Sequence, residues 1–299
     1  MNVIELIDKT KYDKTAVAVG NFDGVHVGHK ALIEKTVALA KKNGLTPAVW
    51  TFDCYAPKTN AKHIIPPKER YCIFKDLGVE VVFENRFEDV KGLSPEEFVK
   101  GCLLNDCKAE IAVCGYNFRF GKDAKGDAEA LKSLMEQNGK SAFIEDEIKI
   151  GGLTVSSTAV RKALKDGDVT LAAKLLGRPF SVTLPVIHGR RIGTGLGFPT
   201  VNQSYPDTLT EMRRGVYVCR VEIDGVDYKA VTNVGIKPTL ENCPLTIETH
   251  ILNCEGDFYG RDLTVRFYGF LRDEKKFSSL DELKKQIKED KEKAKEADI

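Results

Sequence analysis

Several absences limit the classes of protein to which this sequence can belong. No apolar run approaches the roughly 20 residues that a membrane-spanning helix requires. The eight cysteines include no Cys-x-x-Cys pair, so their spacing does not indicate a zinc site, and we expect free thiols in a reducing compartment. The formal net charge is only +1 at pH 7, which argues against nucleic acid and anionic membranes as partners.

What the chain does contain is typical of a globular protein with room for two domains. Of its 299 residues, 42% are hydrophobic and 30% are charged. Residues 1–11 mix polar and apolar side chains and lack the apolar core of a signal peptide. We therefore expect a cytoplasmic protein that is a monomer or a weak homo-oligomer.

The first 177 residues alternate short apolar runs with helical patterns, which is typical of parallel α/β architecture. Strands are predicted at residues 16–19, 46–52, 79–83, 110–114 and 141–145. Helices are predicted at residues 31–42, 66–77, 94–105, 127–138, 158–165 and 169–176. We place a domain boundary after Gly177, so the first domain covers residues 1–177.

From residue 178 the pattern changes to strands without intervening helices, which indicates a small β-barrel. A tight hairpin is predicted at Asp224-Gly225. The predicted strands are residues 180–187, 215–223, 228–234, 245–252 and 262–271.

A terminal helix is predicted after the barrel strands. Ser279 can cap this helix, and Glu282, three residues further on, completes the pattern of a capping box. Its apolar stripe is expected to contain Leu280, Leu283 and Ile287. The second domain, residues 178–299, is therefore predicted as a barrel with a terminal helix.

A glycine-rich turn separates the first predicted strand from the first predicted helix. Backbone N–H groups and the positive end of a helix meet at such a turn, which favours phosphate binding. His26 and His29 lie on either side of Gly28, so both imidazoles can reach one phosphate. This His-x-Gly-His arrangement resembles the nucleotidyltransferase superfamily. The residues assigned to nucleotide binding are Gly20, Asn21, Phe22, Asp23, Gly24 and Gly28, of which Asn21 and Asp23 either order the loop or contact substrate.

A second cluster of polar residues begins the helix predicted at 158–165. Ser157 and Thr158 supply hydroxyl groups at the helix start, and Arg161 follows just inside it. The guanidinium of Arg161 can clamp the β- and γ-phosphates of a nucleotide through paired hydrogen bonds. The alternative is that these hydroxyls only cap the helix.

A glycine-dense loop in the second half offers another phosphate site. It has no Walker-type Gly-Lys-Ser/Thr, but flexible glycines with exposed amides can wrap a triphosphate. Thr200 and Asn202 follow the loop two residues apart, which puts both side chains on one face of an extended segment and suits Mg²⁺ bound with ATP. The alternative is a mobile surface loop. The loop residues assigned to the nucleotide are Gly189, Gly195, Gly197 and Pro199.

Glu248 lies in a predicted strand between Ile247 and Thr249. Because side chains alternate along a strand, Glu248 faces away from those two neighbours. A carboxylate there can accept a proton from a primary alcohol that attacks a γ-phosphate. The alternative is an ordinary glutamate on the barrel surface.

Taken in order, these motifs resemble the family of bacterial bifunctional riboflavin kinase/FAD synthetases. The resemblance implies a Rossmann-like nucleotidyltransferase domain followed by a small β-barrel riboflavin kinase domain. The segments that carry it are residues 20–29, 116–121, 156–161, 197–202, 215–217, 233–239, 248–250 and 271–277.

The resemblance also implies roles for individual residues. His26, His29 and Arg161 would handle the ATP phosphates, and Ser157 and Thr158 match the family's second nucleotide motif. Phe52 and Asn117 fall in its flavin region. In the barrel, Thr200 and Asn202 would sit at Mg²⁺-ATP, and Glu248 would be the catalytic base.

The implied activity has two steps. Riboflavin and ATP give FMN and ADP; FMN and a second ATP, through transfer of AMP, give FAD and pyrophosphate. The family usually has a Pro-His-Pro turn where this chain has Cys54-Tyr55-Ala56-Pro57, and an arginine where it has Thr194. An alternative is therefore a riboflavin kinase with weak or absent adenylyltransferase activity. Another is a non-catalytic regulator that binds flavin or nucleotide.

Overall fold

A computed structural model describes most of the chain, and the chain divides into two compact units, Met1–Ser157 and Thr158–Ile299. Each unit is treated separately below. The boundary that the sequence places after residue 177 concerns function and stays a prediction. The described residues are 2–6, 12–53, 62–189, 197–236 and 245–299.

The first unit is built on a six-stranded sheet with the strand order β1-β4-β3-β2-β5-β8. Strand β1 pairs with β4 in antiparallel fashion, and the other neighbours are parallel. The strands are β1 Asn2–Glu5, β2 Thr15–Val19, β3 Thr46–Phe52, β4 Val81–Asn85, β5 Ala109–Gly115 and β8 Ser141–Glu145. Two short hairpins are formed by β6 Arg119–Phe120 with β7 Gly126–Asp127 and by β9 Lys149–Ile150 with β10 Leu153–Thr154.

Strand β2 lies in the middle of the sheet, and all five of its residues are buried. This explains its continuous apolar sequence, because a parallel strand covered on both faces does not alternate. The α1 helix packs on β2, β3 and β5. The α-helices of the first unit are α1 Val27–Asn43, α2 Pro67–Asp76, α3 Phe87–Val90, α4 Pro95–Glu97 and α5 Ala128–Gln137. The next helix, α6 Ser157–Asp166, begins at the last residue of this unit.

The helix predicted at 94–105 begins as expected but continues differently. Ser94 and Glu97 form a reciprocal capping box at its start. From Phe98 to Asp106 the chain then forms a π-helix instead of an α-helix. Phe98 and Leu103 of this segment are buried in the same apolar cluster as Trp50. The π-helix thus coincides with packing against distant residues, and the local sequence gives no indication of a π-helix.

The second unit is a barrel of six antiparallel strands with the order β11-β16-β13-β14-β15-β12. A bridge between Ile187, just after β11, and Asn202 of β12 joins the two edges of the sheet. The elements after α6 are α7 Val169–Leu176, β11 Phe180–Pro185, β12 Val201–Ser204, β13 Gly215–Ile223, β14 Val226–Ile236, β15 Leu245–Ile251, β16 Asp262–Arg272 and α8 Leu280–Glu296.

The turn between β13 and β14 confirms the predicted hairpin. Asp224 and Gly225 have φ values of 52° and 80°, the left-handed conformation that a two-residue turn of this kind requires at both positions. Strand β12 was not predicted, because it is only four residues long and follows the glycine-dense loop.

The terminal helix α8 corrects one detail of the predicted apolar stripe. Leu280 is 65% exposed, because it is the first helical residue. Leu283 and Ile287 line a cavity beside the barrel, and Asp290 and Ala294 are buried further along the helix. The buried side therefore follows i, i+4, i+7, i+11 spacing and includes a carboxylate, which hydrophobicity alone cannot predict.

The start of α8 is capped by two neighbouring serines. Ser279 accepts a hydrogen bond from the N–H of Glu282 at 3.2 Å, as expected. The carboxylate of Glu282 accepts from the N–H and hydroxyl of Ser278, at 2.9 and 2.8 Å, and not from the N–H of Ser279. The capping box is thus shifted by one residue on its carboxylate side.

A buried ion pair attaches α8 to strand β16. The guanidinium of Arg272 donates to Asp290 from Nε at 3.0 and 3.1 Å and from Nη2 at 2.7 Å. Gln286 donates to the same carboxylate at 3.1 Å. Asp290 is 2% exposed, and these donors satisfy the hydrogen-bonding capacity of its buried carboxylate.

We expect Asp290→Ala to weaken the attachment of α8, because it leaves the charge of Arg272 largely buried without its partner. The cost should be about 3–5 kcal/mol, the usual range for breaking a buried pair. Hydrogen exchange of the α8 amides measures this directly. Glu289→Ala, at the exposed neighbouring position, is the matched control; equal protection of α8 in both variants would contradict the assignment.

Candidate active sites

The turn between β2 and α1 has an unusual backbone conformation. Phe22, Gly24 and Val25 have φ values of 54°, 78° and 41°. Glycine adopts such angles freely, but a bulky residue such as Phe22 or a β-branched one such as Val25 does so at a cost. Gly24 has a further requirement, since a Cβ atom there would lie 2.8 Å from the side chain of Ile64.

Tertiary hydrogen bonds hold this turn in place. The carboxylate of Asp23 accepts from the N–H of Ile64 at 3.0 and 3.3 Å. The carbonyl of Asp23 accepts from the hydroxyl of Ser157 at 2.8 Å. Of the two roles left open for Asp23, loop order is therefore the one these contacts support. Ser157 contributes to the same loop from the start of α6.

His26 and His29 lie together at the N-terminus of α1. His26 is the N-cap, and its Nδ1 accepts from the N–H of His29 at 3.2 Å. The two rings are stacked, with centroids 3.6 Å apart and planes 17° apart. The edge-to-face ring of Phe22 contacts His29, with centroids 5.1 Å apart. Because Nδ1 of His26 accepts a bond, its proton lies on Nε2, which remains available as a donor.

Both imidazoles are neutral near pH 7. Burial lowers the pKa of His26 to about 4. Burial, the neighbouring His26 and the charge of Arg70 hold the pKa of His29 well below its usual value. The buried Nδ1 of His29 has no hydrogen-bond partner within the described residues. A buried polar atom of this kind at a helix N-terminus is available to a ligand.

The structure places the remaining residues of the second nucleotide motif on α6. Thr158 is exposed, and Arg161 is half-buried one turn into the helix. Both belong to the second compact unit, whereas Ser157 closes the first. Their roles toward a nucleotide remain predictions.

An aromatic cavity of about 380 Å³ opens in the first unit. Phe52, assigned to flavin from the sequence, is in its wall together with Trp50, Phe118 and Phe120. Asn117, the other flavin assignment, is exposed and is not part of this wall. Flat aromatic walls of this kind suit a planar ring system.

In the barrel, strand register brings polar residues into one row. Glu248 of β15 lies directly opposite Asn202 of β12 and Asn233 of β14. Residues directly opposite each other in antiparallel strands have their side chains on the same face. Thr249, the next residue, is fully buried and lies opposite Thr232 inside the barrel. The row that contains Glu248 is therefore on the outer face, as the strand pattern predicted.

Two cavities meet near this row. The first, of about 370 Å³, has Glu248, Asn233 and Arg272 in its wall, with Leu283 and Ile287 contributed by α8. The second, of about 390 Å³, lies against residues of β15 and the segment that follows it. Thr200 lines both cavities and so stands where they adjoin. A molecule in one cavity and a second molecule in the other would therefore come close to each other at Thr200.

Asn202 and Gly189 are packed closely together. A Cβ atom at Gly189 would lie 2.4 Å from Nδ2 of Asn202, so a larger residue there would displace the Asn202 side chain. Asn202 is 7% exposed, and its Nδ2 lies 3.5 Å from the carbonyl of Thr200. Pro199 and Gly197 are exposed next to it, and the carbonyl of Pro199 lies 2.8 Å from Nδ1 of His250.

Three sequence assignments fall outside the described residues. These are Gly195 with the neighbouring Thr194, the segment Cys54–Pro57, and residues 237–239 of the barrel motif. Sequence reasoning also missed Arg70 and Asp290, and it named Asn233 and Arg272 only as members of motif segments, without a role. Arg70 and Asp290 lie in helices whose local pattern suggests only structure, and tertiary contacts alone reveal their positions near a site.

The fold and these sites together define a class of protein. One unit is a nucleotide-binding α/β sheet with paired histidines at a helix start, and the other is a barrel with a carboxylate beside two cavities. This is a two-domain enzyme that acts on phosphate groups.

Comparisons with known proteins give the family. A family described as FAD synthetase matches residues 8–159, and one described as riboflavin kinase matches residues 176–297. The bifunctional riboflavin kinase/FMN adenylyltransferases of Bacillus subtilis and Escherichia coli K12 are each 32% identical over 296 residues. Those matches cover 96% of this chain and 93% and 94% of the relatives. The chain belongs to the family of bifunctional riboflavin kinase/FMN adenylyltransferases.

A solved structure has the same fold over nearly the full length. It is described as a macrolide-efflux protein from Streptococcus pneumoniae, with 32% identity and a TM-score of 0.87, and the match covers 98% of this chain and 97% of that one. That description concerns the other protein. In the parts of the chain that the structure describes, every helix is too short or too polar to cross a lipid bilayer.

The comparisons and the structure together confirm three predictions. The fold class is a Rossmann-like domain with a small barrel and a terminal helix, the family is the one the motifs resemble, and the enzyme class is that of a riboflavin kinase and FMN adenylyltransferase. The assignments of individual residues remain predictions.

The lowered pKa of His26 predicts how the stability of the first unit depends on pH. Since folding lowers this pKa from 6.5 to about 4, the unfolded chain binds the proton first. Stability is therefore fully present above pH 6.5 and falls as the pH drops toward 4, by about 2 kcal/mol at pH 5 for this group. Urea unfolding at pH 7 and 5, followed by the fluorescence of Trp50, measures the fall.

His26→Asn removes the titrating ring but keeps a side chain that can cap the helix, so its loss of stability between pH 7 and 5 should be smaller than that of the wild type. His188→Asn replaces an exposed histidine and is the matched control. An identical pH dependence of the wild type and His26→Asn would show that burial does not hold this ring neutral.

Proposed function

We propose that this chain makes FMN in the barrel and FAD in the Rossmann-like unit. The barrel transfers the γ-phosphoryl group of ATP to the primary hydroxyl of riboflavin, giving FMN and ADP. The first unit transfers AMP from a second ATP to FMN, giving FAD and pyrophosphate. What supports this proposal is that the first unit has both a histidine pair at the N-terminus of α1 and an aromatic cavity, and that Glu248 lies in the wall of a cavity of the barrel.

Adenylyl transfer is the chemistry of the histidine pair. An oxygen of the FMN phosphate attacks the α-phosphorus of ATP, and the bond to the departing pyrophosphate breaks. Negative charge increases on the α-phosphate oxygens and on the leaving group, so fixed donors lower the barrier. Nε2–H of His26 is such a donor, His29 presents its unpartnered ring nitrogen, and the α1 N-terminus adds its partial positive charge.

The roles of the other residues in this half-reaction are proposed from the sequence motifs. The glycines of residues 20–28 let the backbone approach the nucleotide, and Arg161 clamps the leaving pyrophosphate with Ser157 and Thr158 beside it. Flavin binds in the aromatic cavity against Phe52, and Asn117 is a second flavin-binding residue. A functional boundary after residue 177 keeps α6, which carries Arg161, with the adenylyltransferase.

Phosphorylation of riboflavin is the chemistry of Glu248. Its carboxylate accepts the proton of the primary hydroxyl while that oxygen attacks the γ-phosphorus, and ADP leaves. The flavin ring occupies the cavity between the outer barrel face and α8, and ATP occupies the adjoining cavity against Pro199. Thr200 lies where the two substrates meet, and Gly189, Gly195 and Gly197 frame the triphosphate.

The oxygen donors near Glu248 fit a magnesium ion that enters with ATP. Thr200 offers a hydroxyl and Asn202 an amide oxygen, which are hard ligands of the kind that Mg²⁺ prefers. Mg²⁺ bound to these residues would neutralise charge on the transferred phosphoryl group. We further propose a cytoplasmic enzyme that works as a monomer or weak homo-oligomer without nucleic acid or membrane.

His29→Ala and Glu248→Ala should separate the two steps. We expect His29→Ala to abolish FAD formation from FMN and ATP, because it removes a phosphate donor from the first unit, while FMN formation from riboflavin survives. Glu248→Ala should abolish FMN formation but leave adenylylation of supplied FMN intact. Chromatography of flavin products measures both, and each variant serves as the control for the other. Equal loss of both activities in either folded variant would contradict the assignment.

A further inference from the structure

Arg70 of α2 is a buried cation that the proposed chemistry does not yet use. It is 2% exposed and lies at the end of the sheet where the phosphate-binding turn begins. Its Nη1 donates to the carbonyl of Asn21 at 3.0 Å, and its Nη2 donates to the carbonyl of Phe52 at 3.1 Å. One guanidinium therefore joins the turn after β2 to the end of β3.

The hydrogen bond from Arg70 to the carbonyl of Asn21 lies immediately before the strained part of the turn in the sequence. Phe22, the next residue, has the left-handed φ of 54°. The hydroxyl of Thr51 donates to the same carbonyl of Asn21 at 3.1 Å. Two donors thus fix the peptide group that leads into the strained conformation, and the guanidinium supplies the charged and stronger of the two.

Arg70 is itself held by a carboxylate on β4. Nη2 lies 3.3 Å from Oε1 of Glu84, and the hydroxyl of Tyr71 donates to the same oxygen. The ring of Tyr71 lies beside the guanidinium, 5.5 Å from its centroid. Burial followed by the hydrogen bond to Glu84 raises the pKa of Tyr71 far above its usual value, so this hydroxyl stays a donor.

The charge of Arg70 also acts on His29. Two charged or titratable groups influence this ring: His26, stacked on it from the same turn, and the guanidinium from α2. Both lower the pKa of His29, as burial does. Arg70 therefore affects both the shape of the turn and the protonation of a ring within it.

If Arg70 served only to stabilise the fold, we would expect all the N–H groups of its guanidinium to have hydrogen-bond partners. Nε of Arg70 is buried and has no hydrogen-bond partner within the described residues. A buried charge with an unsatisfied donor costs free energy, and apolar residues of similar volume often stabilise a core as well or better. The position therefore uses a cation where packing alone does not require one.

We infer that Arg70 is a positioning residue for adenylyl transfer, which holds the turn at residues 20–26 in the conformation that presents His26 and His29 to the nucleotide. The inference rests on the proposed adenylyltransferase activity of the first unit. Arg70 acts through the turn and does not need to touch the substrate.

The test compares two replacements of Arg70 in the full-length protein. Arg70→Met removes the charge and both bridging bonds, so kcat/KM for FMN adenylylation should fall roughly 100-fold, the usual effect of a misplacement near 1 Å. Arg70→Lys keeps a charge and one donor and should restore part of that loss. Lys75→Met, on the exposed side of the same helix, is the matched control and should leave the rate unchanged.

Two further readouts separate positioning from a loss of folding. Riboflavin phosphorylation by the same preparations should stay at the wild-type rate. NMR titration of the His29 ring should show a raised pKa in Arg70→Met and a pKa near that of the wild type in Arg70→Lys, which a purely structural role does not predict. Should Arg70→Met fail to fold, Arg70→Lys and Glu84→Gln carry the same measurements.

The outcomes test the role of Arg70 and the proposed adenylyltransferase activity separately. A wild-type protein that makes no FAD from FMN would refute the proposed adenylyltransferase. A wild-type protein that makes FAD, with Arg70→Met equally fast, would refute the role of Arg70 alone. Loss of FAD synthesis in Arg70→Lys with no change of the His29 titration in any variant would also overturn it.

Discussion

The first unit depends on one strained turn. Two non-glycine residues, Phe22 and Val25, hold left-handed backbone angles, each at a cost of about 1–3 kcal/mol. A single buried hydrogen bond returns only about 1 kcal/mol net, so no one contact offsets that cost. Several hydrogen bonds together offset the cost. They join Gly20, Asn21 and Asp23 to residues of β3, α2, α6 and the segment before α2. The helix N-terminus and the histidine pair are therefore held in place by the tertiary structure that surrounds them.

The barrel obtains its site in a different way, through register. Each strand places alternate residues outside, and antiparallel pairing aligns Asn202, Glu248 and Asn233 across three strands without backbone strain. The helix α8 then covers this row, and the buried pair of Arg272 and Asp290 fixes the helix over it. A row of polar groups on an outer barrel face becomes part of the wall of a cavity in this way. The two chemistries are thus supported by separate elements.

The apolar periodicity and the capping residues of the sequence correctly predicted several helices and strands whose bounds they determine. The strands at 46–52 and 141–145 and the helix at 169–176 have the predicted bounds, because apolar period and caps decide them. Strand β1 and the π-helix after Glu97 were missed, since both depend on pairing or packing with distant segments. In the sites, motifs identified His26, His29 and Glu248, but Arg70 and Asp290 are charged residues in ordinary helices. Only the folded chain shows that they are buried.

A time course of flavin products tests the central claim, that one chain holds two independent phosphate chemistries, most directly. Purified protein would be incubated with riboflavin, ATP and Mg²⁺, and flavins and pyrophosphate would be measured together. The account predicts that FMN appears first, that FAD follows as FMN is consumed, and that one pyrophosphate is released for each FAD. Accumulation of FMN without FAD or pyrophosphate would contradict the assignment of the first unit, and unchanged riboflavin would contradict the assignment of the barrel.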